Sequence, residues 1–318
     1  MDFIYDILRS SKKISGPWRC AIYAHPEGKM SPTVIFSEEH NNEGSCPNET
    51  HVVSVLKDIL NNTDNAHVFI ENFIYSDDIE NFGNRTVNSD CKNPKDDEQV
   101  LNHMRKCLEI IKSSRSHLKE RIHFIDPRVD LIAILPNGKI YEAIDLYVKD
   151  LASNKKYSDV IVTLYEAFIH PLMNLFPDNL ILTGRLSGAI KEAKSKMTHE
   201  QLIFFEKVWK YDVLDNVSGL VDFLSSMKKK KNTYNYESII KDVDKIKILY
   251  RDMTNKFLDT WLLAKLFVAE NETKMDVSIM YLGSLHSLHI ESYFKDMGYI
   301  LVDFFENNSL LSCINIDK

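Results

Sequence analysis

The chain has 318 residues, a net charge of −7, 44% hydrophobic and 27% charged residues. These values suit a globular protein long enough to bury a core, and the acidic balance argues against a general nucleic-acid binder, which is usually basic. The five cysteines, Cys20, Cys46, Cys91, Cys107 and Cys313, form no CxxC pair, so neither a zinc ribbon nor a dense disulfide framework is supported. No uninterrupted apolar stretch reaches the length of a membrane span. The acidic start, Met1-Asp-Phe-Ile-Tyr-Asp, does not read as a secretory signal. An intracellular, non-secreted protein is expected.

In chain order, Cys20–Ala24 is a short strand and Thr33–Phe36 a β-branched and aromatic one that runs directly into Ser37-Glu-Glu-His40. Val52–Leu60 has helical spacing. Ala66–Glu71 is a second apolar strand ending in a carboxylate. Residues 77–97 are polar and aperiodic and read as an excursion. Gln99–Leu118 is a helix with Met104, Cys107, Leu108 and Ile111 on one stripe. Arg121–Asp126 is a third strand ending in charge, followed by Pro127 and Arg128; the apolar run 129–135 then meets a Pro136-Asn-Gly turn.

From 145 to 270 the spacing is helical, with a capping box at Thr198 and Gln201 and a long helix over Tyr234–Ala269. Val277–Leu282 is the last site-bearing strand. It breaks at Gly283 and resumes as a helix in which Leu285, Leu288, Tyr293, Phe294 and Met297 can share one side. Tyr299–Asp303 closes the series. The expectation is one α/β domain with a parallel-rich central sheet flanked by helices. The sheet is drawn from 18–140 and 275–305. A helical insertion or lid, 145–270, comes before the last strand–helix–strand unit.

Three early strands end in ionisable groups: Glu38 and His40, then Glu71, then Asp126 with Arg128. The late strand ends at Gly283, with His286 and His289 one turn apart on the following helix. If these strands are parallel neighbours, all four ends meet on one edge, where open α/β sheets bind ligands. A structural salt-bridge ring of Glu71, Arg128 and Asp126 is the competing reading. In a metal-free site, His40 or His286 would be the base toward water and Glu38 or Glu71 would orient it. Arg128 would hold an anionic group or the developing oxyanion; Asp126 and His289 would stand behind these groups. In a metal version, His40, Glu71 and His286 would bind one divalent ion and leave a position open for water. The chain contains no HExxH, no Gly-x-Ser-x-Gly elbow, no P-loop and no dinucleotide fingerprint.

Ser37-Glu-Glu-His40 has the form of a Gly-Glu-x-His motif with Ser in place of Gly, and Gly283-Ser-Leu-His286 that of Gly-x-x-His. With Glu71 at the end of the second strand, this order resembles the superfamily of erythromycin esterase, ChaN-like haem-uptake proteins and TraB/Tiki proteins. The resemblance covers roughly 18–130 and 275–305. The Asp259–Lys265 and Asp126–Arg128 stretches, with the final motif, also resemble an uncharacterised family encoded by large DNA viruses. These resemblances imply a hydrolase of small-molecule or peptide substrates. The alternatives are a non-catalytic virion or host-interaction protein that keeps the fold, with Trp209 and Trp261 on its binding surface, or a haem or other ligand binder. The substitution at Ser37 bears on the first turn, because Gly serves where backbone dihedrals are unusual.

Overall fold

The computed structural model describes residues 2–11, 13–39, 50–73, 100–114, 118–126, 149–150, 153–154, 156–176, 184–306 and 313–316. The chain forms two compact units, one of residues 1–126 with 265–318 and one of residues 127–264. The strands are β1 (Lys13–Ser15), β2 (Arg19–Ala24), β3 (Thr33–Glu38), β4 (Thr50–His51), β5 (Ala66–Phe73), β6 (Ile122–Asp126), β7 (Val277–Gly283), β8 (Ile300–Glu306) and β9 (Cys313–Asn315). The helices are α1 (Asp2–Ser10), α2 (Val52–Asn62), α3 (Val100–Ser114), α4 (Tyr157–Leu175), α5 (Gly184–Ser195), α6 (His199–Val208), α7 (Asp215–Lys229), α8 (Tyr236–Glu272) and α9 (Ser284–Asp296).

The first unit is built on a six-stranded sheet of order β6-β5-β7-β3-β2-β8, beside a three-stranded sheet β4-β1-β9. The four strands expected to be neighbours are neighbours, and β6, β5, β7 and β3 are all parallel. Antiparallel β2 separates them from β8. β3 and β7 are buried along their whole length. Strands covered on both faces carry near-continuous apolar runs, which is why these segments show no alternation in the sequence.

The two faces differ in chemistry. On one, Phe36, Ile70 and Tyr281 join Leu8 of α1, Leu56 of α2 and Leu108 of α3 in a single apolar core. Side chains alternate along a strand, so Arg19, Tyr23, Ser37 and His67 stand on the other face. That face mixes apolar residues such as Ile35, Phe69 and Met280 with buried polar groups: Thr33 Oγ1 and Ser278 Oγ share a hydrogen bond of 2.6 Å across β3 and β7. It meets α9 and the end of α8, where Thr273 Oγ1 lies 3.3 Å from His67 Nε2.

α9 corrects the sequence reading. Leu285 and Leu288 are 44% and 54% exposed, not packed with Tyr293 and Phe294. The buried stripe is His286, Ser287, Ile290, Glu291, Tyr293 and Phe294. The sheet beneath supplies the reason: Arg19 and Tyr23 bind Glu291, and that contact turns the helix to a polar seam. Gly298 ends α9 in the left-handed region at φ 88°, and the Tyr299 N–H donates to the Phe294 carbonyl at 2.9 Å. A side chain would be strained at that φ.

The second unit is helical where it is described. Thr198 caps α6 as the capping box predicts, its hydroxyl accepting from Gln201 N at 3.2 Å while Gln201 Oε1 accepts from Thr198 N at 2.9 Å. A π-helical stretch, Trp209–Leu214, joins α6 to α7. Trp209 packs on Phe205 and Phe257. Both Trp209 and Trp261 are buried, so core packing accounts for them and neither forms a binding surface. Among the described residues no helix is long and apolar enough to cross a membrane.

Candidate functional site at the carboxyl edge of the sheet

Register fixes which residues reach the edge. Glu38 of β3 stands opposite Gly283 of β7, and Ser37 opposite Leu282. On the other side of β7, Ile70 of β5 pairs with Tyr281, so Glu71 arrives one residue later. Between Ile70 and Phe73 the ladder to β6 shifts, with one more residue on β5 than on β6, before Phe73 meets Asp126. Glu71 therefore sits in a bulge-like irregularity, a feature that re-aims side chains. With β7 between them, the Glu38 and Glu71 backbones stand about 10 Å apart, two strand spacings.

All of these groups are withdrawn from solvent: Glu38 is 3%, Glu71 2%, Asp126 1% and His286 5% exposed. His289 is half-buried. His40 and Arg128 lie outside the described residues, as do 77–97 and the 129–138 run and turn. Ser37 is an ordinary strand residue, paired with Arg19 on one side and Leu282 on the other. No unusual turn there demands the glycine of the motif it resembles.

Glu38, Glu71 and, on α9, Glu291 have polar support. Tyr281 Oη donates to Glu38 Oε2 at 2.9 Å; alternation places both on the face of the apolar core. Burial and the adjacent Glu38 charge together raise the Tyr281 phenol well above its usual range, so it remains a donor. Glu71 Oε2 accepts from the Gly283 N–H at 3.4 Å, a long contact at the start of α9, where the helix dipole favours negative charge. Arg105 of α3 approaches from the side, its Nη2 3.8 Å from Glu71 Oε1 and its Nε donating to the Glu71 carbonyl. On the α9 face, Glu291 accepts two bonds from the Arg19 guanidinium, the Nη2–Oε2 contact measuring 2.6 Å. Tyr23 Oη donates to the same carboxylate at 2.7 Å. Burial, then the Glu291 hydrogen bond and charge, raise the Tyr23 phenol.

The edge thus collects Glu38, Glu71, Asp126 and His286, but from two faces of the sheet. Glu38 belongs to the core face and His286 to the buried stripe of α9. Among the described residues, no three His, Cys, Asp or Glu side chains converge where they could hold a metal ion. Of the metal set read from the sequence, Glu71 and His286 are the described members. Arg105, Arg19, Tyr23, Tyr281 and Glu291 escaped the sequence reading. Arg105 had a visible signal, since it directly follows Met104 on the apolar stripe of α3. Glu291 also had one, at i+5 from His286 inside the last motif.

Compared with family models, curated proteins and solved structures, the chain matches none of them.

A second titratable cluster lies nearer the amino ends of the strands. His67 Nδ1 and His123 Nε2 share a hydrogen bond of 2.9 Å across β5 and β6. The rings are stacked, and Phe69 stacks on His123. Burial first, then the Arg121 charge, lower His67 from 6.5 to about 4. Burial, then His67, Lys112 and Lys265, hold His123 well below its usual value. Both imidazoles are neutral at pH 7, so the unfolded chain binds more protons below pH 6.5. Their contribution to stability is therefore complete above pH 6.5, and the His67 part is lost as pH falls from 6.5 through about 4. The slope for one such group is about 1.4 kcal/mol per pH unit. Unfolding free energies from urea denaturation should fall between pH 7 and pH 4.5 by up to this slope for each of the two imidazoles, and His67→Asn should flatten the profile. An unchanged profile in that variant would show that other groups set the acid limit.

Proposed function

We propose that the carboxyl edge of the sheet is a hydrolase site of the erythromycin esterase/ChaN–TraB type, acting on a neutral ester, amide or peptide carbonyl. One observation carries this reading: four parallel strands deliver buried carboxylates and, through α9, a buried imidazole to one edge. Buried ionisable groups are costly to assemble, and their clustering at a ligand-binding edge favours chemistry over stability. In the reaction, the oxygen of water bonds to the carbonyl carbon and its proton passes to His286, or to His40, as general base. Collapse breaks the bond to the leaving alcohol or amine, which takes the proton back. Glu71, oriented by Arg105 and by the Gly283 N–H, positions the base or the water. Arg128 retains its expected role at the oxyanion. In the metal-assisted version, His40, Glu71 and His286 would hold one divalent ion that makes the bound water more acidic.

A second reading is favoured by a specific observation. Glu38 and Glu71 already have internal partners in Tyr281 and Arg105, as a structural network would. On this reading the chain is a non-catalytic viral virion or host-interaction protein that keeps the fold. The two separate in a panel of p-nitrophenyl esters, anilides and short peptides, assayed with and without zinc or manganese. Turnover that tracks the protein through purification is expected. A blank panel under every condition would transfer support to the interaction protein.

A further inference from the structure

Ser37 is fully buried, yet its hydroxyl has no hydrogen-bond partner among the described residues. Buried hydroxyls are nearly always satisfied, and one left alone costs free energy that an alanine would not. Its neighbours explain where it is aimed. Ser37 faces away from the apolar core, on the side where α9 packs through Glu291 onto Arg19 and Tyr23. Its register partner Leu282 stands two residues before α9 begins at Ser284. That helix is 13 residues long, its N-cap is Gly283, which has no side chain to cap with, and Glu71 Oε2 takes the Gly283 N–H through one long contact of 3.4 Å. Register and alternation thus put a lone buried hydroxyl on the face of the sheet that α9 covers, level with the residues that lead into its first turn, and the N–H groups of a first helical turn are intrinsic donors.

We infer that Ser37 Oγ and the N-terminus of α9 form an acceptor-binding subsite for the carbonyl oxygen of a neutral acyl ligand. The neighbouring charge selects that class. Glu38 follows Ser37 directly, and Glu71 already accepts from the Gly283 N–H. Glu38 points to the opposite face, so Glu71 is the carboxylate on the α9 start itself; a fully charged carboxylate or phosphate would meet that like charge, whereas a carbonyl brings only partial negative charge. The inference rests on the hydrolase reading for its substrate class and adds to Arg128 a second source of donors for the oxygen. When water attacks, the π pair of the C=O bond moves onto that oxygen, and donors already in place stabilise the growing charge. The serine that departs from the glycine of the resembled motif thereby acquires a role of its own.

Two measurements on the full chain test this. Phenylacetamide is titrated into wild type and Ser37→Ala while the backbone amide signals of Ser284 and Leu285 are followed by nitrogen-15 NMR; p-nitrophenyl acetate hydrolysis is assayed in parallel. Saturable shifts of those two amides are expected in wild type, with binding at least tenfold weaker in Ser37→Ala. The variant should melt no lower than wild type, since it removes an unsatisfied group. Equal binding by both proteins, no shift in wild type, or a marked loss of melting temperature in Ser37→Ala would each overturn the subsite. Ser37-dependent binding with no hydrolysis would leave the subsite standing and reject the hydrolase. Hydrolysis that Ser37→Ala leaves unchanged would do the reverse.

Discussion

Replacing Glu291 by alanine should destabilise the protein by about 3–5 kcal/mol, the cost of leaving a buried cation unpaired. Arg19 is 8% exposed and Glu291 3%, and both guanidinium bonds end on this one carboxylate. The variant strands Arg19 and also removes the acceptor of the Tyr23 hydroxyl. The Phe304 ring, with its centroid 4.8 Å from the guanidinium carbon, offsets only part of that loss, since such contacts are worth roughly 0.5–2 kcal/mol. The double variant Arg19→Met with Glu291→Leu should recover most of the stability, because apolar replacement of a buried ion pair is often neutral or favourable. Urea denaturation of wild type, Arg19→Met, Glu291→Leu and the double variant measures the coupling directly. A single variant within ~0.5 kcal/mol of wild type, the range of ordinary surface changes, would show that water reaches Arg19 and that the seam beneath α9 is not sealed.

The largest effect on activity should come from His286 and Glu71. If the hydrolase reading holds, His286→Gln and Glu71→Gln should each lower kcat on p-nitrophenyl acetate by about 10²–10⁴-fold, the usual worth of a positioned proton carrier. KM should change much less, because neither group is assigned to uniform substrate binding. Glu71→Gln keeps an oxygen for the Gly283 N–H and removes the charge facing Arg105. Side-chain exposure is 21% for Arg105 but 3% for Glu71, so the loss of this half-buried pair should lower stability by about 1–3 kcal/mol, which urea denaturation of the variant measures separately from kcat. Leu288→Ala, on the exposed side of α9, is the control and should leave kcat unchanged. Equal losses in all three variants would mean that the helix, not its buried polar groups, matters. Two fully active glutamine variants would remove His286 and Glu71 from the chemistry.

Much of the architecture was legible because β3, β5, β6 and β7 are apolar runs bounded by charge or glycine. Such runs read as buried strands whatever surrounds them. Their shared form, with the ionisable residue always at the carboxyl end, was enough to predict a parallel set with its ends on one edge. The capping box at Thr198 and the long helix through Phe257 were legible for the same reason, since both are set by contacts within a few residues.

Tertiary structure decided the rest. Local spacing in α9 favoured Leu285 and Leu288 as the buried stripe, and only the presence of Arg19 and Tyr23 on the sheet beneath rotated Glu291 and His286 inward. Those partners come from the other end of the chain, more than 260 residues away from Glu291, and no periodicity encodes them. The pairing of Glu71 with Arg105 was hidden likewise. It depends on a register shift in β5 that one strand cannot announce by itself. Alternation then separated Ser37 from Glu38, sending one toward α9 and the other toward the apolar core. The sequence by itself determined which segments carry charge to the edge of the sheet. The face each charge occupies, and the partner it meets, followed from how strands and helices distant in the chain pack, because desolvation is settled only when both sides of an interface are in place.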